Sequence, residues 1–322
     1  MFAEPGGIVD GAEYLADEEA GTHGSVFPDT YPVFPDLLEA AGYAMGFTGK
    51  GWGPGDWQRG GWKRNPAGVA FSRATVDAKP ADGINPRDYA ADFVRFFEQI
   101  DDGKPFCFWY GGHEPHRRYE EGSGRKAGKD LDRIEAPPFL PDTETVRSDI
   151  ADYYVEVEWF DAQLAKMLSK LEAMGELDNT VVVVTGDNGM PFPRAKANLY
   201  DYGIRVPLAI RWSESIACGR HSEALVSFVD FAPTFLELAG AEIPASMTGR
   251  SLLPLLSGAD DAEPQDYVVA GRERHTHARF DNLGYPARAI RTADYLYIWN
   301  MKPERWPAGD PGPDDDWYHD ID

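Results

Sequence analysis

The sequence predicts an α/β fold, with a sheet between layers of helices, followed by a small antiparallel subdomain. Up to residue 240, short apolar runs alternate with segments of helical periodicity, the order typical of a sheet sandwiched between helices. Beyond residue 245, short β-rich runs separated by turn residues replace this alternation. We therefore expect an α/β domain over residues 1–245 and a C-terminal antiparallel subdomain over residues 246–322.

Apolar spacing predicts two helices and two strands in the first half of the chain: a helix over 33–42, a strand over 43–48, a helix over 87–100 and a strand over 106–110. The first strand runs into a glycine-rich loop at 49–55. Residues 56–84 show no clear periodicity, and we expect them to form a long surface excursion.

The second half contains the strongest helical pattern, over residues 146–174, where apolar residues recur every three or four positions. Gly175 is a natural end for that helix. Four consecutive valines at 181–184 are typical of a strand covered on both faces. The remaining predicted elements are a strand over 207–212, a helix over 228–238, and strands over 267–270, 287–292 and 295–300.

The net charge of the protein limits the kinds of partner that it can bind. With 31 basic and 54 acidic residues the net charge is −23, which repels nucleic acid and anionic membrane surfaces. An anionic substrate would therefore need a local cluster of cations. We expect Cys107 to be a buried thiol, and Cys218 lies in a polar loop. The sequence does not decide whether the two cysteines form a disulfide. We expect no transmembrane segment and no signal peptide, and localisation and oligomeric state are left open.

The end of the valine strand is the most informative part of the chain. Asp187 and Asn188 follow the strand, at the edge where open α/β sheets place their ligands. Their hard oxygen atoms suit Ca²⁺ or Mg²⁺ better than zinc, and Lys196 adds a positive charge a few residues later. A cation and a lysine around one point predict an anionic substrate. The alternative is a simple turn, since Asp-Asn-Gly is a good turn sequence.

Other candidate residues follow the two earlier strands. Lys50 opens the glycine-rich loop, and the alternative for it is a solvated lysine. His116 follows the strand over 106–110 and is well placed to protonate a leaving alkoxide, because the reference pKa of histidine lies near neutrality. His113 and Arg117 flank it as candidate substrate ligands. The alternative for His116 is a loop histidine that packs against a neighbouring tyrosine.

These motifs together resemble the sulfatase family. The matching patterns are Asp187-Asn188, Lys196-x-x-x-Tyr, Arg-Val-Pro at 205–207, Gly-Lys50, and Pro-His116. The resemblance implies an alkaline-phosphatase-like sandwich with a central mixed sheet, and Ca²⁺ bound by Asp187 and Asn188. It also implies that Lys50 and Lys196 contact the sulfate while His116 meets the ester oxygen.

The sequence departs from the family pattern at Trp52, and a later segment extends the resemblance. Trp52 stands where the family commonly has a histidine, and we expect that it stacks on a sugar ring instead, since it cannot carry a proton. The segment 271–292 resembles the C-terminal subdomain of heparan N-sulfatase relatives. There Arg272 and His275 are expected to contribute to a substrate rim. The alternative for this segment is a solvated hairpin tip.

The family's nucleophile, a formylglycine made from Cys-x-Pro-x-Arg or its serine form, has no counterpart in these 322 residues. The early strand that ends in paired aspartates is also not found. The resemblance starts near residues 18–24, which in the family lie downstream of the nucleophile, so we expect an N-terminally truncated sulfatase with an exposed sheet edge and an incomplete Ca²⁺ site. We predict no appreciable turnover by the chain as given.

Three functions are compatible with the sequence. The first is a sulfatase-family hydrolase acting on sulfate esters or N-sulfates, with a sulfated small molecule or glycan as its partner. The second is a non-catalytic, sulfatase-like protein that binds sulfated glycans. The third is a metal-dependent phosphatase or phosphodiesterase of the same superfamily. It is the least supported, because it needs a larger set of metal ligands and the chain has seven histidines.

Overall fold

The computed structural model describes residues 26–52, 56–259, 263–274, 283–306 and 308. The helices are α1 (Phe34–Ala40), α2 (Tyr89–Phe97), α3 (Ser123–Lys126), α4 (Glu144–Met174), α5 (Asp201–Ile204), α6 (Phe231–Leu238) and α7 (Leu253–Ser257). The strands are β1 (Ala44–Gly49), β2 (Val69–Ala70), β3 (Phe106–Gly111), β4 (Val182–Thr185), β5 (Leu208–Arg211), β6 (Tyr267–Arg272), β7 (Ala287–Thr292) and β8 (Leu296–Asn300).

A parallel sheet in the order β2-β1-β3 lies between two pairs of helices. Strands β1 and β3 pair in register from Ala44 opposite Phe106 to Gly49 opposite Gly111, so both strands end at the same edge of the sheet. Alternate residues of β3 point to opposite faces. Its aromatic residues pack against α2 and α4, while Cys107 joins Met45 of β1 against α1 and α6. This arrangement confirms the α/β fold class.

Helix α4 is the longest element and supports the later site. It begins at Glu144, two residues before the predicted start, because the side chain of Thr143 caps it by accepting a hydrogen bond from the backbone N–H of Val146. It ends at Met174 as predicted. Gly175 follows with φ of 73°, a left-handed conformation that glycine adopts without strain.

The β4–β5 hairpin is arranged differently from the expected single mixed sheet. Strand β4 pairs antiparallel with β5, from Val182 opposite Arg211 to Thr185 opposite Leu208. Within the described ranges no ladder joins this pair to the parallel sheet. The valine run is half-buried, whereas the sequence predicted a strand covered on both faces.

Strands β6, β7 and β8 form the predicted antiparallel C-terminal sheet. Its Ala287 and Ala289 pack against Leu199 of the loop that follows β4, so the sheet borders the Lys196 region. The boundary at residue 245 stays a prediction. Among the helices of the described ranges, none has both the length and the apolar character of a membrane span.

Candidate anion-binding site

The closest contact between predicted catalytic residues joins His116 to Lys196. Lys196 Nζ lies 3.3 Å from His116 Nε2, and His116 Nδ1 lies 2.6 Å from the carbonyl oxygen of Arg117. These partners assign a neutral imidazole that donates from Nδ1 and accepts from the ammonium at Nε2. Lys196 is 6% exposed. The fold thus brings a buried cation and a proton carrier together, from positions 80 residues apart in the chain.

Arg117 connects the loop after β3 to the loop after β4. Its guanidinium donates two hydrogen bonds to Asp149 of α4, at 3.0 and 2.5 Å, and Nε donates to the carbonyl of Pro191 at 2.9 Å. The rings of Tyr119 and Phe192 lie 4.9 and 4.7 Å from it. The structure therefore shows Arg117 as a tether that holds the His116 and Lys196 loops together. Its predicted contact with substrate stays a prediction.

A buried carboxyl group of α4 lies directly behind His116. Glu156 is 2% exposed, and its Oε2 accepts a hydrogen bond of 2.9 Å from the backbone N–H of His116. Its Oε1 is buried and has no hydrogen-bond partner among the described residues. Burial, together with the charge of Glu114, raises the pKa of Glu156 to about 7 despite the His116 hydrogen bond. Glu156 fixes the backbone from which the proton carrier projects.

The ends of β1 and β3 bring Lys50 close to His113. The backbone N–H of Lys50 donates to the carbonyl of Gly111 at 2.6 Å, which extends the ladder by one residue. Burial, together with the nearby charges of Lys50, Arg87 and His116, lowers the pKa of His113 to about 4. His113 is therefore neutral at neutral pH, and Arg87 Nη1 lies 3.4 Å from its Nε2.

Trp52 lies in the interior instead of on an open surface. It is 6% exposed and stacks on Phe27 at 5.0 Å between ring centroids. Asn65 holds its backbone by accepting from Trp52 N–H at 2.8 Å and donating to its carbonyl at 3.0 Å. This packing supports the Lys50 loop, and it does not favour the predicted stacking of Trp52 on a sugar ring.

Asp187 and Asn188 stand at the tip of β4, as predicted. Asp187 is exposed, and the side-chain amide of Asn188 donates to Asp187 Oδ1 at 2.8 Å, which leaves the Asn188 carbonyl oxygen directed away from that bond. The donors are hard oxygens and fit Ca²⁺. No group of three or more His, Cys, Asp or Glu side chains suited to a metal occurs in the described part of the chain. Binding of Ca²⁺ by this pair stays a prediction, and two residues would fill only part of its coordination shell.

Of the two residues of the predicted C-terminal substrate rim, the structure describes Arg272. Arg272 ends strand β6 opposite Ala287, which packs against Leu199 three residues after Lys196. Its role in substrate binding stays a prediction. His275 lies outside the described residues.

Sequence reasoning missed Glu156, which supports the site, and the other buried polar residues of α4. Asp152, Glu156 and Gln163 are buried on α4 beside its apolar residues. Their spacing of four and seven residues continues one stripe of the helix, and polar residues within a buried stripe are a signal that could have drawn attention to them. The partners of these side chains lie far away in sequence and could not be read from it.

Comparisons with known proteins agree with this geometry. The Sulfatase family model matches residues 6–241, and the model of the N-sulphoglucosamine sulphohydrolase C-terminal region matches residues 194–310. The chain belongs to the sulfatase family. This membership confirms the resemblance carried by the Asp-Asn tip, the two lysines and the Pro-His motif.

Individual relatives are similar over part of the chain. An ulvan-active sulfatase of Formosa agariphila is 33% identical over 61% of this chain and 31% of its own length. Human N-sulphoglucosamine sulphohydrolase is 32% identical over 65% of this chain and 46% of its own. The chain thus spans less than half the length of these relatives. A solved structure in complex with its substrate D-glucosamine-2-N,6-O-disulfate has a TM-score of 0.62 at 21% identity, covering 89% of this chain and 79% of that one, which supports the fold.

Proposed function

We propose that this chain carries the sulfate-binding and proton-donating part of a sulfatase site, for sulfate esters or N-sulfates of a sugar. The His116–Lys196 contact at 3.3 Å is the observation that supports the proposal most directly. A buried ammonium beside an imidazole nitrogen places positive charge and a proton carrier at one point. Lys50 adds a second cation from the neighbouring strand end.

The chemistry follows from these groups. Hydrolysis breaks the bond from sulfur to the bridging oxygen or nitrogen, and the departing atom develops negative charge that a proton must neutralise. In the resting site Nε2 of His116 accepts from Lys196; once Nε2 takes up a proton, the imidazolium supplies that proton to the departing atom, while Lys196 and Lys50 neutralise the other sulfate oxygens. Arg117 and Glu156 keep the imidazole in place. When bound at Asp187 and Asn188, Ca²⁺ contributes further positive charge toward the sulfate.

The nucleophile of the reaction is not among the described side chains of this site. Neither Cys107 nor Cys218 lies in a Cys-x-Pro-x-Arg pattern. Burial raises the pKa of the Cys107 thiol to about 12, so it is not a nucleophile at neutral pH. We therefore expect the 322-residue chain to bind sulfated compounds without turning them over.

The names of the relatives suggest the substrate class. One relative is an N-sulphoglucosamine sulphohydrolase, and the solved structure contains a glucosamine carrying both an N-sulfate and an O-sulfate. A sulfated amino sugar is accordingly the first ligand to test on this chain.

Titration calorimetry with glucosamine N-sulfate tests the proposal. We expect saturable binding by the wild type and a loss of at least about tenfold in Lys196→Ala, the scale of one charged hydrogen bond. Lys104→Ala is the matched control, because Lys104 is exposed just before β3, at the opposite end of the sheet. Equal binding by Lys196→Ala and the wild type would overturn the proposed site. Sulfate release above the blank would contradict binding without turnover.

A further inference from the structure

Arg87 and His113 form a group of their own beside the proposed sulfate site, here called the Arg87 subsite. Arg87 Nη1 lies 3.4 Å from His113 Nε2, and both residues are half-buried. His113 lies three positions before His116 and near enough to Lys50 for the lysine charge to lower its pKa. The subsite therefore borders the cations that the proposed function uses, and its arginine comes from the loop before α2.

A buried framework holds Arg87 at this place. Glu114 is 6% exposed and accepts two hydrogen bonds, from Asn85 N–H at 2.7 Å and from the Tyr89 hydroxyl at 2.8 Å. The Tyr89 oxygen in turn accepts from the backbone N–H of His113 at 3.1 Å. The residues two positions before and two positions after Arg87 are thus fastened to the strand end that carries His113. The arginine is positioned by buried groups, as expected of a ligand contact.

The positive charges of the subsite form no ion pair with a carboxylate of the described residues. Within the described ranges, no carboxylate oxygen lies within 4 Å of the charged groups of Arg87 or Lys50, although the chain as a whole has a net charge of −23. His113 is neutral at neutral pH, so it accepts from Arg87 and leaves the positive charge of the guanidinium in place. A planar guanidinium with unused donors fits the paired oxygens of a sulfate or a carboxylate.

We propose that the Arg87 subsite binds a second anionic group on the same sugar substrate, next to the sulfate held by Lys196 and His116. This inference rests on the proposed function and narrows it: the preferred substrate carries at least two acidic groups. Arg87 then sets specificity between singly and multiply charged sugars, while the Lys196 contact is common to both.

Titration calorimetry with three probes tests the inference: glucosamine N-sulfate, glucosamine 2-N,6-O-disulfate, and an N-sulfated disaccharide that contains a uronate. The variant is Arg87→Gln, with Arg87→Lys to retain the charge. Arg95→Gln is the matched control, because it removes the same charge from the exposed part of α2. Thermal unfolding of each variant checks that it is folded.

We expect the wild type to bind a doubly charged probe more tightly than the N-sulfate. Arg87→Gln lowers that affinity about tenfold and leaves the N-sulfate unchanged, and Arg87→Lys recovers part of the loss. The probe that responds identifies the second group as sulfate or carboxylate. If Arg87→Gln and Arg95→Gln bind all probes alike while Lys196→Ala loses the N-sulfate, the subsite is refuted and the proposed function stands. If Lys196→Ala retains the N-sulfate, the proposed function is refuted, and the Arg87 result still decides the subsite.

Discussion

Glu156→Gln is the substitution that most directly tests the electrostatics behind His116. Glu156 is almost fully buried, has one oxygen bonded to the His116 backbone, and has one oxygen without a partner among the described residues. Glutamine keeps the shape and can still accept the hydrogen bond from His116. It removes the carboxyl group that burial makes costly to ionise.

The size of the effect follows from the pKa. The folded carboxyl has a pKa of about 7 against an ordinary value of 4.5. Each pKa unit is worth about 1.4 kcal/mol, so the upper bound is about 3.5 kcal/mol, and solvent screening reduces it to roughly 1–2 kcal/mol. Below pH 4.5 both folded and unfolded chains hold the proton. From 4.5 to 7 only the folded chain holds it, so the wild type loses stability as pH rises through that window.

Urea unfolding at pH 5, 6.5 and 8, followed by tryptophan fluorescence, measures the difference between the variant and the wild type. We expect Glu156→Gln to be about equal to the wild type at pH 5 and roughly 1–2 kcal/mol more stable at pH 8. Other titrating groups, His113 among them, are present in both proteins and cancel in the difference. Glu172→Gln on the exposed side of α4 removes the same charge and should show no such dependence.

Two results would refute this reasoning. A stability difference that does not change with pH would mean that Glu156 ionises as easily in the folded chain as in the unfolded one. A variant that becomes less stable than the wild type between pH 5 and pH 8 would mean that the charged form is preferred, through a partner of Oε1.

Two further predictions concern the tether and the cysteines. Asp149→Asn leaves the Arg117 guanidinium without its carboxylate and should lower unfolding stability by about 1–3 kcal/mol. Asp142→Asn, at an exposed pair with Arg147, should cost clearly less in the same urea titration. In native protein at pH 8, a thiol reagent should modify exposed Cys218 much faster than half-buried Cys107, because desolvation raises the pKa of Cys107 to about 12; equal rates would contradict that shift.

Local patterns predicted most of the elements because they depend on near neighbours. The strands β1 and β3 and the C-terminal end of α4 agree with their predicted bounds within one residue, since apolar runs and Gly175 define them locally. The predicted start of α4 lies two residues late, because the apolar pattern begins after the first turn that Thr143 caps. The single mixed sheet was expected from the family, and the described strands form a parallel sheet and a separate hairpin.

The sequence predicts the charged residues of the candidate site, but not the residues that hold them in position. Lys50, His116 and Lys196 lie in short motifs at strand ends, where the sequence signals them. Arg87 and Glu156 do not, because their roles depend on contacts with residues 26 and 40 positions away. The burial of Trp52 was also not visible in the sequence, because Phe27 and Asn65 reach it from separate loops.

The long sequence separations within the site have a consequence for folding. Lys196 and His116 are 80 residues apart, Arg117 and Pro191 are 74 apart, and His116 and Glu156 are 40 apart. Closing such loops costs entropy that local structure does not repay, so contacts of this kind form late. A collapsed intermediate with native helix content would still lack the arrangement of cations that holds a sulfate. Sulfate binding should therefore appear on refolding after the helical signal, as a marker of completed tertiary structure.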